Sequence, residues 1–162
     1  MGRVQRWSLV TAAVLAAAGI GQRAEAQGRP LSVSGAQQLD FGAIFPGVPA
    51  IVVKGDPTFA GRFNVTGIRN SEVQLTFTLP AALSGPGGRT LPLQFGPADG
   101  GWNTQNAVAT AQAFDPRVPL VTRLSNNGRL YLWLGGTALP SGTQGSGAYA
   151  GTITLAAAYT GN

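Results

Sequence analysis

The sequence predicts an all-β domain of about eight or nine short strands, and three observations carry that prediction. Charge is sparse: Asp, Glu, Lys and Arg together make up 10% of the 162 residues, against roughly 25% in typical globular domains. Glycine (24) and proline (11) are spread along the chain as turn punctuation, without a collagen period. Apolar residues alternate with polar ones at period two in segment after segment, the signature of half-buried strands. A hydrophobic content of 44% excludes a disordered chain. The length suits one ordinary domain and is too short for two with separate cores.

The first 26 residues read as an export signal rather than part of the fold. Arg3 and Arg6 form a positive start, and Trp7 to Ile20 is an uncharged Ala/Val/Leu-rich stretch. Ala24-Glu25-Ala26 supplies the small-x-small cleavage pattern. The apolar run is shorter than the ~20 residues a membrane span needs, and no second long run follows. The expected product is therefore a single domain over residues 27–162, exported to the periplasm, cell surface or exterior, with no stable membrane insertion after cleavage. Removing the signal takes the basic residues from 11 to 8 and the acidic from 6 to 5, so net charge falls from +5 to +3.

Along the mature chain, Leu31 and Val33, then Leu39 and Phe41, mark the first extended segments. Ile51 to Lys54 follows two prolines as a short strand. The stretch from Phe59 to Ile68 places Phe59, Phe63 and Val65 near one face. Val73, Leu75, Phe77 and Leu79 alternate with Gln74, Thr76 and Thr78 in the clearest strand of the chain, ended by Pro80. Leu91, Leu93 and Phe95 form another, after the Gly85–Gly88 turn. Ala107 to Phe114 fits a helical turn or a strand, with strand preferred. Asn126-Asn127-Gly128 is a turn of residues that tolerate positive φ, and it launches Arg129 to Leu134, a strand expected to be buried on both faces. Gly135-Gly136 is expected to break it, with a loop from Ser141 to Gly147. Tyr149 to Tyr159 is read as the final strand, with Tyr149, Gly151, Ile153, Leu155, Ala157 and Tyr159 on one face. Val73, Leu75, Phe77, Leu132, Leu134, Ile153 and Leu155 are the expected core. Sandwich and barrel both fit this pattern.

The chemistry-bearing residues argue against catalysis. Cysteine and histidine are absent, which removes the thiol nucleophile, the usual general base and the commonest metal ligand. A serine nucleophile would need a Lys or carboxylate partner, and Lys54 is the only lysine. Gly145-Ser146-Gly147 lacks the strand–helix setting of a nucleophile elbow. Gly85–Gly88 and Gly142–Gly147 lack the Lys-Ser/Thr and helix of a phosphate loop. The acids of the mature chain stand alone, and Asp56-Pro57, Asp99-Gly100 and Asp115-Pro116 read as turn pairs rather than a glycosidase dyad. Asp99 and Asn103 offer too few oxygens for a calcium loop. Asn64-Val65-Thr66 matches a glycosylation acceptor only formally, mid-strand. Arginines 29, 62, 69, 89, 117, 123 and 129 are scattered singly, so nucleic acid is not an expected partner. No cofactor or catalytic residue is expected. Trp133 is read as core, and Trp102 as an exposed contact residue.

Four segments carry a family resemblance: Leu39-Asp40-Phe41-Gly42, Phe63-Asn64-Val65-Thr66-Gly67, Leu134-Gly135-Gly136-Thr137-Ala138-Leu139, and Gly147-Ala148-Tyr149-Ala150-Gly151 leading to Tyr159. In this order, over nearly the whole mature chain, they resemble domain-of-unknown-function family 4402. These are small secreted bacterial proteins similar to spore-coat-U and to the pilin-like subunits of chaperone–usher systems. The resemblance implies an immunoglobulin-like (pilin-like) β-sandwich and a non-catalytic structural role in surface fibres. It also implies partners: a periplasmic chaperone, an usher and sister subunits, joined by donation of a β-strand. The matching assembly residues here are Leu31 and Val33 in the N-terminal segment, and Tyr149, Gly151 and Tyr159 in the C-terminal strand. The chain departs from many pilins in having no cysteine, and Gly35 interrupts its N-terminal apolar face. The rival expectation is a monomeric periplasmic or secreted β-sandwich binding module using loop residues such as Trp102.

Overall fold

A computed structural model describes residues 29–161; residues 1–26, expected to be an export signal, lie outside the described residues. Among the described residues, twelve strands in three antiparallel sheets build an all-β sandwich. They are β1 (Ser32–Gln37), β2 (Ala50–Val52), β3 (Gly61–Thr66), β4 (Glu72–Thr78), β5 (Ala82–Ser84), β6 (Thr90–Gln94), β7 (Gly100–Asn103), β8 (Gln112–Phe114), β9 (Leu120–Arg123), β10 (Arg129–Leu134), β11 (Gly136–Ala138) and β12 (Thr154–Tyr159). The count exceeds the expected eight or nine because several strands have only three residues, too short for alternation to register.

One layer is a five-stranded sheet in the order β1-β3-β10-β7-β8. The facing layer is the three-stranded sheet β12-β4-β9. A four-stranded sheet, β2-β11-β6-β5, extends the first layer beyond Gly135. Strands β10 and β11 are one run of chain that changes partners at Gly135, so the glycine pair bends the strand rather than ending it. The cause is local: Gly135 N–H donates to the Asp99 carbonyl (2.9 Å), and a Cβ there would collide with the Val52 carbonyl.

The core follows from period two. Strand β4 buries Val73, Leu75 and Phe77 and exposes Gln74, Thr76 and Thr78. Leu130, Leu132 and Leu134 of β10 and Val65 of β3 meet them from the other layer, with Leu124, Phe95 and Leu155 completing one cluster. Phe77 joins the layers by an edge contact with Phe63 (centroids 5.3 Å apart, 78° between planes) and a stacked contact with Phe114 (6.1 Å, 27°). The expected core residues all lie in or against this cluster, Ile153 as a half-buried neighbour. Burying the largest of these side chains contributes about 1.5–3 kcal/mol each, the main support of a fold without disulfides.

Several expectations need correction. Leu39 and Phe41 form no strand, although Leu39 packs against the core. Phe59 is exposed rather than facing inward with Phe63 and Val65. Residues 107–114 divide into a short 3-10 turn at Val108–Thr110 and strand β8. In the Asn126-Asn127-Gly128 turn only Gly128 takes a positive φ (68°). Its N–H donates to the Ser125 carbonyl (2.9 Å), and the turn carries the chain from β9 in one sheet to β10 in the other.

Candidate functional site

The residues expected to mediate assembly fall into two groups that the fold separates. Leu31 lies just before the chain's own β1 and Val33 within it, and β1 pairs with β3 through Ser32↔Thr66, Val33↔Val65 and Ser34↔Asn64. Tyr159 ends β12, opposite Val73 of β4. Strands β1 and β12 are edge strands of the two facing layers and approach each other on one side of the sandwich. Tyr159 ties them: its hydroxyl accepts from Ile68 N–H (2.8 Å) and donates to the Arg29 carbonyl (3.0 Å). Along this seam Leu31, Val33, Ile153, Ala157 and Tyr159 pack against the core yet remain only half-buried.

Tyr149 and Gly151 are not part of that surface. The final strand begins at Thr154, so the expected strand from Tyr149 is five residues too long at its start. The physical reason is a shortage of partner: β4 ends at Thr78, and Thr154 is already opposite it. Residues before Thr154 turn instead to β5, where Ser84 and Ala150 exchange two backbone hydrogen bonds (2.8 and 2.9 Å). Tyr149 is fixed in the preceding loop, its hydroxyl donating to the Gly145 carbonyl (2.6 Å) and accepting from Gln144 Nε2 (2.7 Å). Gly151 packs beside Leu83.

The edge of β12 has a defined hydrogen-bonding polarity. Thr160 N–H donates to the Glu72 carbonyl (3.2 Å), and the register continues through Tyr159↔Val73 to Thr154↔Thr78. Antiparallel pairing alternates, so Ala156 and Ala158 also direct their backbone groups to β4. Leu155, Ala157 and Tyr159 direct theirs outward, where no strand of the described residues lies beside them.

A second surface feature had no sequence-level signal beyond an uncharged run. Phe45 (69% exposed), Val48 (57%), Ile51 (71%) and Val53 (62%) lie in or beside edge strand β2 with their side chains in solvent. Large exposed apolar side chains gathered this way mark an interaction surface more often than a solitary one does.

The remaining candidates serve the fold. Trp102 is half-buried on β7 opposite Leu132 and packs against the core, not the exposed contact expected of it. Trp133 is buried, but on the other face of β10, beside Asp56, Pro57, Arg62 and Asn106. Asp99 and Asn103 stand at opposite ends of β7, about 13 Å of strand apart. Asp99 accepts from Gly96 N–H (2.6 Å), and Asn103 holds Ala107, Gln105 and Thr110. Asp56 accepts from Thr58 and Phe59 N–H (2.8 and 2.9 Å), and Asp115 from Arg117 N–H (2.9 Å), the turn roles expected of both. Two side-chain hydrogen bonds from Arg117 (2.8 and 2.7 Å), helped by its backbone N–H, hold the Asp115 carboxyl down to about 2. The same bond raises Arg117 above its ordinary value.

Among the described residues no helix is long and apolar enough to cross a membrane. No family model matches the chain, and neither a curated protein nor a solved structure does.

Proposed function

We propose that this protein is a non-catalytic exported structural subunit, pilin-like, that accepts a partner's β-strand along β12. The observation that carries the reading is the seam between β1 and β12. There the last strand of the chain offers unpaired backbone groups, and Leu31, Val33, Ile153, Ala157 and Tyr159 are left half-buried beside it. A strand laid on β12 would satisfy the outward groups of Leu155, Ala157 and Tyr159 and finish burying those apolar side chains. Sheet edges of this kind are templates for pairing unless they are blocked, and strand addition draws its affinity from main-chain hydrogen bonds. The exposed apolar residues around β2 support contact with further copies. The absence of His and Cys, and the use of the aspartates in turns, support a role without catalysis.

Partners of this kind are a periplasmic chaperone, an usher and sister subunits, met after export and cleavage behind Ala26. One observation favours the second reading, a monomeric periplasmic or secreted binding module: β1 is already paired within its own chain, so Leu31 and Val33 are not free to be donated. In the proposed role the chain is therefore the acceptor through β12.

The test is sedimentation of the mature chain over a hundredfold concentration range, beside Ala157→Pro. Proline at 157 removes an outward N–H without touching the ladder to β4. Concentration-dependent assembly by the natural chain, lost in a folded Ala157→Pro variant, is the expected result. A natural chain that stays monomeric throughout, alone and with co-expressed export-system chaperones, contradicts the proposal.

A further inference from the structure

At one end of the sandwich three separate pieces of chain line a solvent-open cleft of about 430 Å³. Its walls are Arg29 just before β1, Gly67 to Arg69 in the β3–β4 turn, and Asn126 and Asn127 in the β9–β10 turn. The walls are cross-linked. Gly67 N–H donates to the Gly128 carbonyl (2.9 Å) and Asn70 N–H to the Ser125 carbonyl (3.1 Å). The Tyr159 hydroxyl bonds both Ile68 and Arg29. This is a pre-formed cleft, not a gap between independent loops, and its size falls in the usual range for small-ligand sites, about 300–1,000 Å³.

Charge is distributed unevenly over the molecule, and the cleft sits at the basic end. The pairings Ser32↔Thr66, Arg129↔Thr66 and Glu72↔Arg123 bring Arg29, Arg69, Arg123 and Arg129 to this end. Among the described residues Glu72 is the one acid there, and it is engaged by Thr160 (2.7 Å) and Arg123 (4.0 Å). Asp40, Asp56, Asp99 and Asp115 all belong to turns at the opposite end, around Phe59, Gly100 and Phe114. The guanidinium groups of Arg29 and Arg69 have no acceptor among the described residues. Arg29 and Arg69 both line the cleft, and a pair of guanidinium groups suits a carboxylate, which it binds through paired N–H donors. The Asn126 and Asn127 amides add donors and acceptors for hydroxyl groups. Among the described residues no aromatic ring lines the cleft, so they offer no stacking platform of the kind single-stranded nucleic acid uses.

We infer that this cleft is a binding site for an acidic glycan, taking the carboxylate of a uronic-acid sugar between Arg29 and Arg69 and its hydroxyls on Asn126 and Asn127. The inference does not rest on strand pairing at β12, and failure of either leaves the other standing.

Isothermal titration of the mature chain with trigalacturonate at low salt tests it, beside a neutral trisaccharide and inorganic phosphate. The expected result is saturable binding of trigalacturonate that weakens as salt rises, because exposed charges are screened. Arg29→Gln and Arg69→Gln should each weaken it about tenfold, a typical loss for one charge-assisted pair. The double variant should abolish it, while Arg62→Gln and Arg89→Gln bind as the natural chain does. Arg29 and Arg69 are exposed, so the unfolding midpoints of these variants should not move. Arg69→Lys, which keeps charge but not the paired donors, should fall between. The inference is overturned if trigalacturonate does not bind, if the double variant binds unchanged, or if the neutral sugar or phosphate binds as tightly.

Discussion

Replacing Phe77 by alanine should remove the contact that most directly joins the two layers. The ring is 8% exposed, lies edge-on to Phe63 at 5.3 Å, stacks on Phe114 at 6.1 Å, and sits opposite Leu155 across the β4–β12 ladder. Burial of this completeness puts a Phe→Ala change in the range of about 3–5 kcal/mol. Each aromatic pair adds roughly 0.5–1.5 kcal/mol beyond its area, so the loss should fall in the upper half, near ~4 kcal/mol. That is a large share of the ~5–15 kcal/mol that holds a domain of ordinary size. In urea unfolding followed by tryptophan fluorescence, a slope of about 2 kcal/mol per molar converts the loss to a midpoint about 2 M lower. A midpoint within about 0.3 M of the natural chain's would refute the placement of Phe77 at the centre of the core.

Gly128→Ala should destabilise by at least about 2 kcal/mol, since φ is 68° and the new Cβ would meet the Gly67 carbonyl; thermal unfolding reads the change directly. Tyr159→Phe should cost about 1–2 kcal/mol by leaving Ile68 N–H and the Arg29 carbonyl without their shared partner, measured by urea unfolding. The Asp115 carboxyl should titrate at about 2, against an ordinary 3.8, in an NMR pH series, and Arg117→Gln should return it toward the ordinary value. Because its folded pKa is depressed, the pair favours the folded state above pH about 4, and that contribution disappears as pH falls through about 2.

The half-buried strands were legible in the sequence because one face of each meets the core and the other meets water. Strand β4 is the clearest case, its buried Val73, Leu75 and Phe77 alternating with exposed Gln74, Thr76 and Thr78. Alternation fails where pairing, not burial, sets the boundary. Tyr149, Gly151 and Ile153 continue the rhythm of β12, yet Ser84 draws Ala150 to β5 and the strand starts at Thr154. Alternation also says nothing about three-residue strands such as β2 and β11, or about a glycine that bends a strand while keeping it in register with new partners. Of the residues expected to mediate assembly, Val33 and Tyr159 fall on edge strands of facing layers and Leu31 just before one, so the three converge, whereas Tyr149 and Gly151 belong to a loop. The basic cleft was invisible for a related reason. Arg29 and Arg69 stand 40 positions apart in the sequence, and only the β1–β3 pairing and the crossing at Gly128 bring their turns together with Asn126 and Asn127.

Amide hydrogen exchange along β12 tests the assembly account most directly. In the isolated domain Ala156, Ala158 and Thr160 should be protected by β4, while Leu155, Ala157 and Tyr159, whose N–H groups point outward, should exchange fast. In the assembled protein the account predicts that Leu155, Ala157 and Tyr159 become protected together, with the other three unchanged. Assembled protein in which those three amides exchange as fast as in the isolated domain would contradict it.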